Sequence, residues 1–137
     1  YSGEEIAQAQ NAASKFKAWL AEHAMETQAI EMQLVSERHR VGGTIDWYGM
    51  LDGLYTLVDL KTSGRVYDEP IIQVAAYARL MEEADYEIDR VRILRFSRDD
   101  DSSQRDMTLS EEQLRVGWEI FLRLRDIYDL KQNIKVA

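Results

Sequence analysis

Three charged side chains sit where hydrophobic ones are expected. Asp46 lies inside VGGTIDWYGML, and Asp59 and Lys61 lie inside LYTLVDLKT, stretches otherwise rich in β-branched, aromatic and aliphatic residues. A carboxylate inside a sheet is costly unless it is paired or bound to a metal. Two such oxygen donors, with a main-chain carbonyl, waters and a substrate phosphate, describe a Mg²⁺ site. An amine beside them can position or deprotonate water, or steady charge building on a phosphate. The plainer alternative is an Asp–Lys salt bridge stranded in the sheet.

The elements around these residues bring them together. Asp59 and Lys61 are two apart and project from one face of an extended strand. Asp52-Gly53 is a strong hairpin signal and folds Leu54–Thr62 back on Val41–Leu51. Asp46 and Asp59 stand equally far from that turn, so they fall at similar heights on neighbouring strands. Gly42 and Gly43 indicate a bulge or a close backbone approach.

Upstream, Ile6, Ala9, Ala13, Phe16 and Leu20 mark an amphipathic helix over about Glu4–His23, and Ala29–Glu37 reads as a strand. Downstream come a helix over Asp68–Ala84 with Pro70 in its first turn, a strand at Val91–Phe96 and a loop at Arg98–Arg105. A short strand at Arg105–Leu109 follows. A capping box, Ser110 to Gln113, then opens a helix to about Lys131, with Leu114, Trp118, Phe121, Leu124 and Tyr128 on one side. The expected fold class is α/β, a mixed central β-sheet flanked by helices in one domain over 1–137.

Gly43-x-x-Asp46, Asp59-Leu-Lys61-Thr-Ser and a helix carrying Gln73-x-x-x-Tyr77 resemble the PD-(D/E)XK nuclease superfamily, and within it the RecB-like and phage-type exonucleases. The likeness covers about residues 29–96. It implies a restriction-endonuclease-like core in which Asp46, Asp59 and the Leu60 carbonyl ligate Mg²⁺ or Mn²⁺. Lys61 would orient or activate the attacking water for in-line phosphodiester hydrolysis, and Gln73 and Tyr77 would support the site and touch DNA. Glu31 matches an acidic residue often found on the first core strand and is a candidate accessory group. Tyr48 shares the strand parity of Asp46 and is a candidate to line the cleft.

Such enzymes carry a further His or Glu on a helix before the core, in a G-x-x-x-H-like setting. Glu4, Glu5, Glu22, His23 and Glu26 do not match it, so that motif is expected upstream of Tyr1, which is not an initiator Met. His23 is expected to face solvent or the helix C-terminal dipole. The implied activity is a metal-dependent DNA exonuclease in phage or bacterial recombination, replication or repair. The rival is a catalytically inactive module of the same fold that binds DNA ends or acts as a scaffold. Implied partners are linear DNA ends, single- or double-stranded, and a homo-oligomer or recombination partner protein.

Composition narrows the alternatives. The formal net charge is −8, from 17 basic against 25 acidic residues. This argues against duplex binding driven by bulk charge, though not against reaching phosphates through a cation. With no cysteine, iron–sulfur clusters and thiol nucleophiles are excluded. No nucleophile elbow or phosphate-binding G-x-x-x-x-G-K-[ST] loop is present. No apolar run is long enough for a membrane span and no signal peptide is seen, so a cytoplasmic bacterial or phage-infected setting is expected. Trp19 and Trp118 read as core rather than as base-stacking platforms. Arg90, Arg92, Arg95 and Arg98 read as a solvated edge, whereas Lys61, Arg65 and Arg79 are better placed for a backbone phosphate.

Overall fold

The computed structural model describes residues 3–61, 68–96 and 104–135. Thr62, Ser63, Arg65, Arg98 and most of the loop expected at 98–105 lie outside these residues, as do the side chains of Glu4, Glu5, Ile6 and Ala9. The order is α1 (Gly3–Ala21), β1 (Met25–Ser36), β2 (Val41–Leu51), β3 (Leu54–Lys61), α2 (Asp68–Glu83), β4 (Arg90–Phe96), β5 (Gln104–Thr108) and α3 (Glu111–Asn133). The sheet runs β1-β2-β3-β4-β5. Its neighbours are antiparallel except β3 and β4, which are parallel. A parallel pair needs a crossover, and here α2 is that crossover.

Alternating side chains divide the core into two layers. Phe16, Trp19 and Leu20 of α1 cover Trp47, Leu51, Val58, Leu94 and Phe96 on one face. Val74, Ala78 and Met81 of α2 cover Ile45, Tyr48, Leu57, Val91 and Ile93 on the other, with Leu114 and Trp118 of α3 packed behind. The α1 stripe is 12, 16, 19 and 20: Ala12 is buried, whereas Ala13, expected inward, is exposed. On α3 the expected stripe is only half used, since Leu124 and Tyr128 are exposed.

The β2–β3 turn has the geometry its residues demand. Asp52 and Gly53 both take positive φ, 51° and 84°, as a type I′ hairpin requires. Asp52 also anchors the end of α1. Its carboxylate lies 2.6 Å from His23 Nδ1 and accepts the Ala24 N–H, so His23 has a side-chain partner rather than open solvent. The His23 contact, foremost, holds the Asp52 carboxyl below its usual range.

β1 begins at Met25, four residues before the expected Ala29. Its first residues are exposed and carry no readable alternation. They pair through main chain because Gly49 opposite has no side chain; a Cβ there would lie 3.0 Å from Thr27 Cα. The capping box at Ser110 and Gln113 is formed as expected.

Candidate active site

β2 parts from β3 at the site. Their register runs from Leu51↔Leu54 to Trp47↔Val58, so one further step sets Asp46 across from Asp59. The ladder stops there, and main-chain groups beyond its end must find other partners. The Asp46 carboxylate supplies one, accepting the Leu60 N–H at 2.7 Å. Asp46 thereby fixes the main chain between Asp59 and Lys61.

Asp59 is only 5% exposed, in the middle strand of the sheet. Its Oδ2 is buried and accepts no hydrogen bond. The Lys61 ammonium faces it at 3.1 Å as an ion pair, outside hydrogen-bond geometry. Burial pushes the Asp59 carboxyl up to about 6, with Lys61 pulling it down and the neighbouring Asp46 carboxylate pushing it further up. Burial, a like charge and one cation beside it are together what move this carboxyl from its ordinary value.

The crossover helix closes the cluster. Lys61 Nζ donates to Gln73 Oε1 at 3.4 Å, and Gln73 Nε2 donates to Tyr77 Oη at 3.1 Å. Gln73 and Tyr77 are one turn apart on α2 and share a face. Burial first, and then the Asp59 carboxylate, raises the Tyr77 phenol above its usual range. The tyrosine fits because Gly43 has no side chain: a Cβ there would lie 2.6 Å from Tyr77 Cε1. The close backbone approach expected at Gly42-Gly43 is thus located at Gly43.

The structure therefore brings Asp46, Asp59, Leu60, Lys61, Gln73 and Tyr77 to one place. Other candidates fall elsewhere. Tyr48 does not line the cleft: it is 2% exposed, its hydroxyl donates to the Glu87 carbonyl at 2.5 Å, and its ring stacks on Tyr55. Tyr48 does face α2, as Ile45 does, while Trp47 faces α1, but it is held away from the cluster among Tyr55, Tyr86 and the Glu87 carbonyl. Glu31 lies across β1 from Asp46, between the pairs Ile30↔Trp47 and Met32↔Ile45. It is exposed, with φ of 49°.

Arg79, expected near the phosphate path, sits 5.7 Å over the Trp118 ring and 3.9 Å from Glu83. Arg92 pairs with Asp106 and lies 4.9 Å over Trp19. His23 is held at Asp52, six residues on from Asp46 and about 20 Å away by strand rise, and does not join the site.

The donor set suits a hard divalent cation. Carboxylate and carbonyl oxygens select Mg²⁺ or Mn²⁺ over softer metals, and the bare, buried Asp59 Oδ2 is the oxygen such an ion would satisfy. Among the described residues no cluster of three or more His, Asp or Glu could hold a metal. The donors on offer among these residues would be two carboxylates and main chain, a set that would leave Mg²⁺ several of its waters.

A cavity of about 640 Å³ opens beside the cluster, walled by Lys61, Gln73 and Tyr77 and, on α3, by Phe121 and Leu124. Sequence reasoning missed these last two, because an aromatic and a leucine at helical spacing signal core.

No family model and no curated protein matches the chain. Among solved structures it is similar to a protein from Eubacterium rectale named "Putative exonuclease", with a TM-score of 0.67 at 15% identity. The match covers 94% of this chain and 55% of that one, so the chain spans about half the length of that neighbour. The fold is thus α/β, a mixed five-stranded sheet flanked by helices, of the kind found in that protein. No helix among the described residues is long and apolar enough to cross a membrane.

Proposed function

We propose that the chain is the nuclease core of a metal-dependent DNA exonuclease of the PD-(D/E)XK type, working in phage or bacterial recombination, replication or repair. The observation that carries this reading is the buried Asp59 carboxylate, set beside Asp46 and held by an ion pair with Lys61 at 3.1 Å. The likeness in fold to the E. rectale protein supports it.

Asp46, Asp59 and the Leu60 carbonyl would hold the Mg²⁺ or Mn²⁺. When bound, that ion supplies Lewis-acid stabilisation of a phosphoryl oxygen and a more acidic water. The chain's own groups do the positioning. Asp46 clamps the Leu60 main chain, so that Asp59 and Lys61 keep fixed height on the sheet. The Lys61 ammonium has three donors. One engages Gln73 and a second side faces Asp59, which leaves a third to orient the attacking water or meet a non-bridging phosphate oxygen. Tyr77 holds Gln73, and Gln73 holds Lys61, against the drift that four flexible bonds would allow.

The test is cleavage of end-labelled linear single- and double-stranded DNA with Mg²⁺ or Mn²⁺, beside Asp59→Ala and Lys61→Ala. Release of label that requires the metal and is lost in both variants is the expected result. Release independent of metal, or unaffected by either substitution, contradicts it. The lack of a third acidic or imidazole group in the described residues favours a second reading, an inactive module that binds DNA ends or acts as a scaffold. That reading predicts DNA binding without cleavage.

A further inference from the structure

We propose that the cavity between α2 and α3 takes an unpaired nucleobase of the DNA strand whose phosphate lies at Lys61, so that the site acts on single-stranded or frayed ends; this rests on the nuclease reading above. Three observations lead there. The cavity is continuous with the cluster, sharing Lys61, Gln73 and Tyr77 as one wall. The rest of the lining is mostly apolar, with Leu80 on α2, Phe121 and Leu124 on α3, and Glu69 as its one acidic member, so the space joins a polar cluster to an apolar recess. Its volume, about 640 Å³, falls within the roughly 300–1,000 Å³ typical of small-molecule sites.

The helices are built to leave this space. Gly117 brings α3 against α2, where a Cβ would lie 2.7 Å from Ala75 Cβ. One turn further along α3, Phe121 faces the cavity, its ring stacked on Trp118 at 5.4 Å and 19°. The Trp118 contact fixes the ring, leaving an ordered aromatic surface to meet a flat heterocycle. A base held in a duplex has its faces stacked and its edge paired, so only an unpaired one can enter between two helices. The charge of the chain points the same way. At −8 bulk charge gives it little hold on a duplex by counterion release, which leaves stacking on an aromatic group to add to the contacts made at Lys61.

The test is binding of fluorescein-labelled oligothymidylate and of a blunt hairpin duplex, without divalent metal so that nothing is cut. Wild type, Phe121→Ala, Phe121→Tyr and Leu124→Ala are compared, each checked for folding by circular dichroism. Wild type should prefer the single strand. Phe121→Ala should weaken that binding about tenfold, as loss of one stacking contact does, with little change for the duplex, and Phe121→Tyr should restore it. Leu124 is half exposed, so Leu124→Ala carries the test, as a smaller loss of single-strand binding, if Phe121→Ala fails to fold.

Single-strand binding unchanged in the folded alanine variants overturns the cavity assignment. So does equal loss on both substrates, and in either case metal-dependent cleavage by wild type would leave the nuclease reading standing. If wild type neither binds nor cuts any DNA, both fall together.

Discussion

The Tyr77 ring packs on the main chain of Gly43, so closely that a Cβ on that residue would lie 2.6 Å from Tyr77 Cε1. The crossover helix can therefore bring Gln73 to Lys61 only because β2 carries a glycine three residues before Asp46. Gly43→Ala should destabilise the protein by about 1–3 kcal/mol through overpacking. In a double-mutant cycle with Tyr77→Ala, most of that loss should vanish, since the removed ring is what the methyl group meets. Urea unfolding of the four proteins measures the coupling, and additive losses would contradict the contact.

Asp46 has two tasks that substitution can separate. Asp46→Ala removes the acceptor of the Leu60 N–H and should cost about 1–3 kcal/mol for the donor left unpaired. Asp46→Asn keeps an oxygen at that place, and its stability should stay near wild type while DNA cleavage is lost. Thermal melts beside cleavage assays check both halves.

Asp59 should make the metal-free protein less stable as pH rises. Its carboxyl, ordinarily at 3.8, is pushed up to about 6 by burial, so the folded form holds a proton that the unfolded chain releases between those values. Stability from this group is fully present below 3.8 and is lost as pH climbs through about 6, by about 3 kcal/mol at neutrality. Asp59→Asn removes the penalty. Its urea midpoint should match wild type in acid and exceed it at neutral pH; parallel curves would contradict the assignment.

Lys61→Ala should leave the fold intact and lower cleavage by about 10²–10⁴-fold, the range for loss of a group that positions or transfers a proton. Gln73→Ala should do less, because Gln73 acts through Lys61 at 3.4 Å. Single-turnover rates with saturating metal separate the two; equal effects would place Gln73 on the substrate itself.

Much of this was legible in the residues. Asp52-Gly53 set the hairpin register, the two-residue spacing set Asp59 and Lys61 on one face, and the four-residue spacing set Gln73 above Tyr77. What escaped depended on distant partners. Tyr48 was misplaced because strand parity assigns a face and not the partners met there, and Tyr55, Tyr86 and the Glu87 carbonyl hold it away from the cluster. The first residues of β1 escaped because pairing over Gly49 leaves no mark in exposed side chains. Phe121 and Leu124 escaped because a helix stripe says which residues share a face, not whether the facing helix has closed on them.

Whether the Asp59 carboxylate takes a cation is the central question, and calorimetric titration of Mn²⁺ into the metal-free protein tests this most directly. The expected result is one site per chain, lost in Asp59→Asn and in Asp46→Asn though both variants melt as cooperatively as wild type. No binding by wild type, or undiminished binding by folded Asp59→Asn, would show that the buried carboxylate serves the Lys61 ion pair alone.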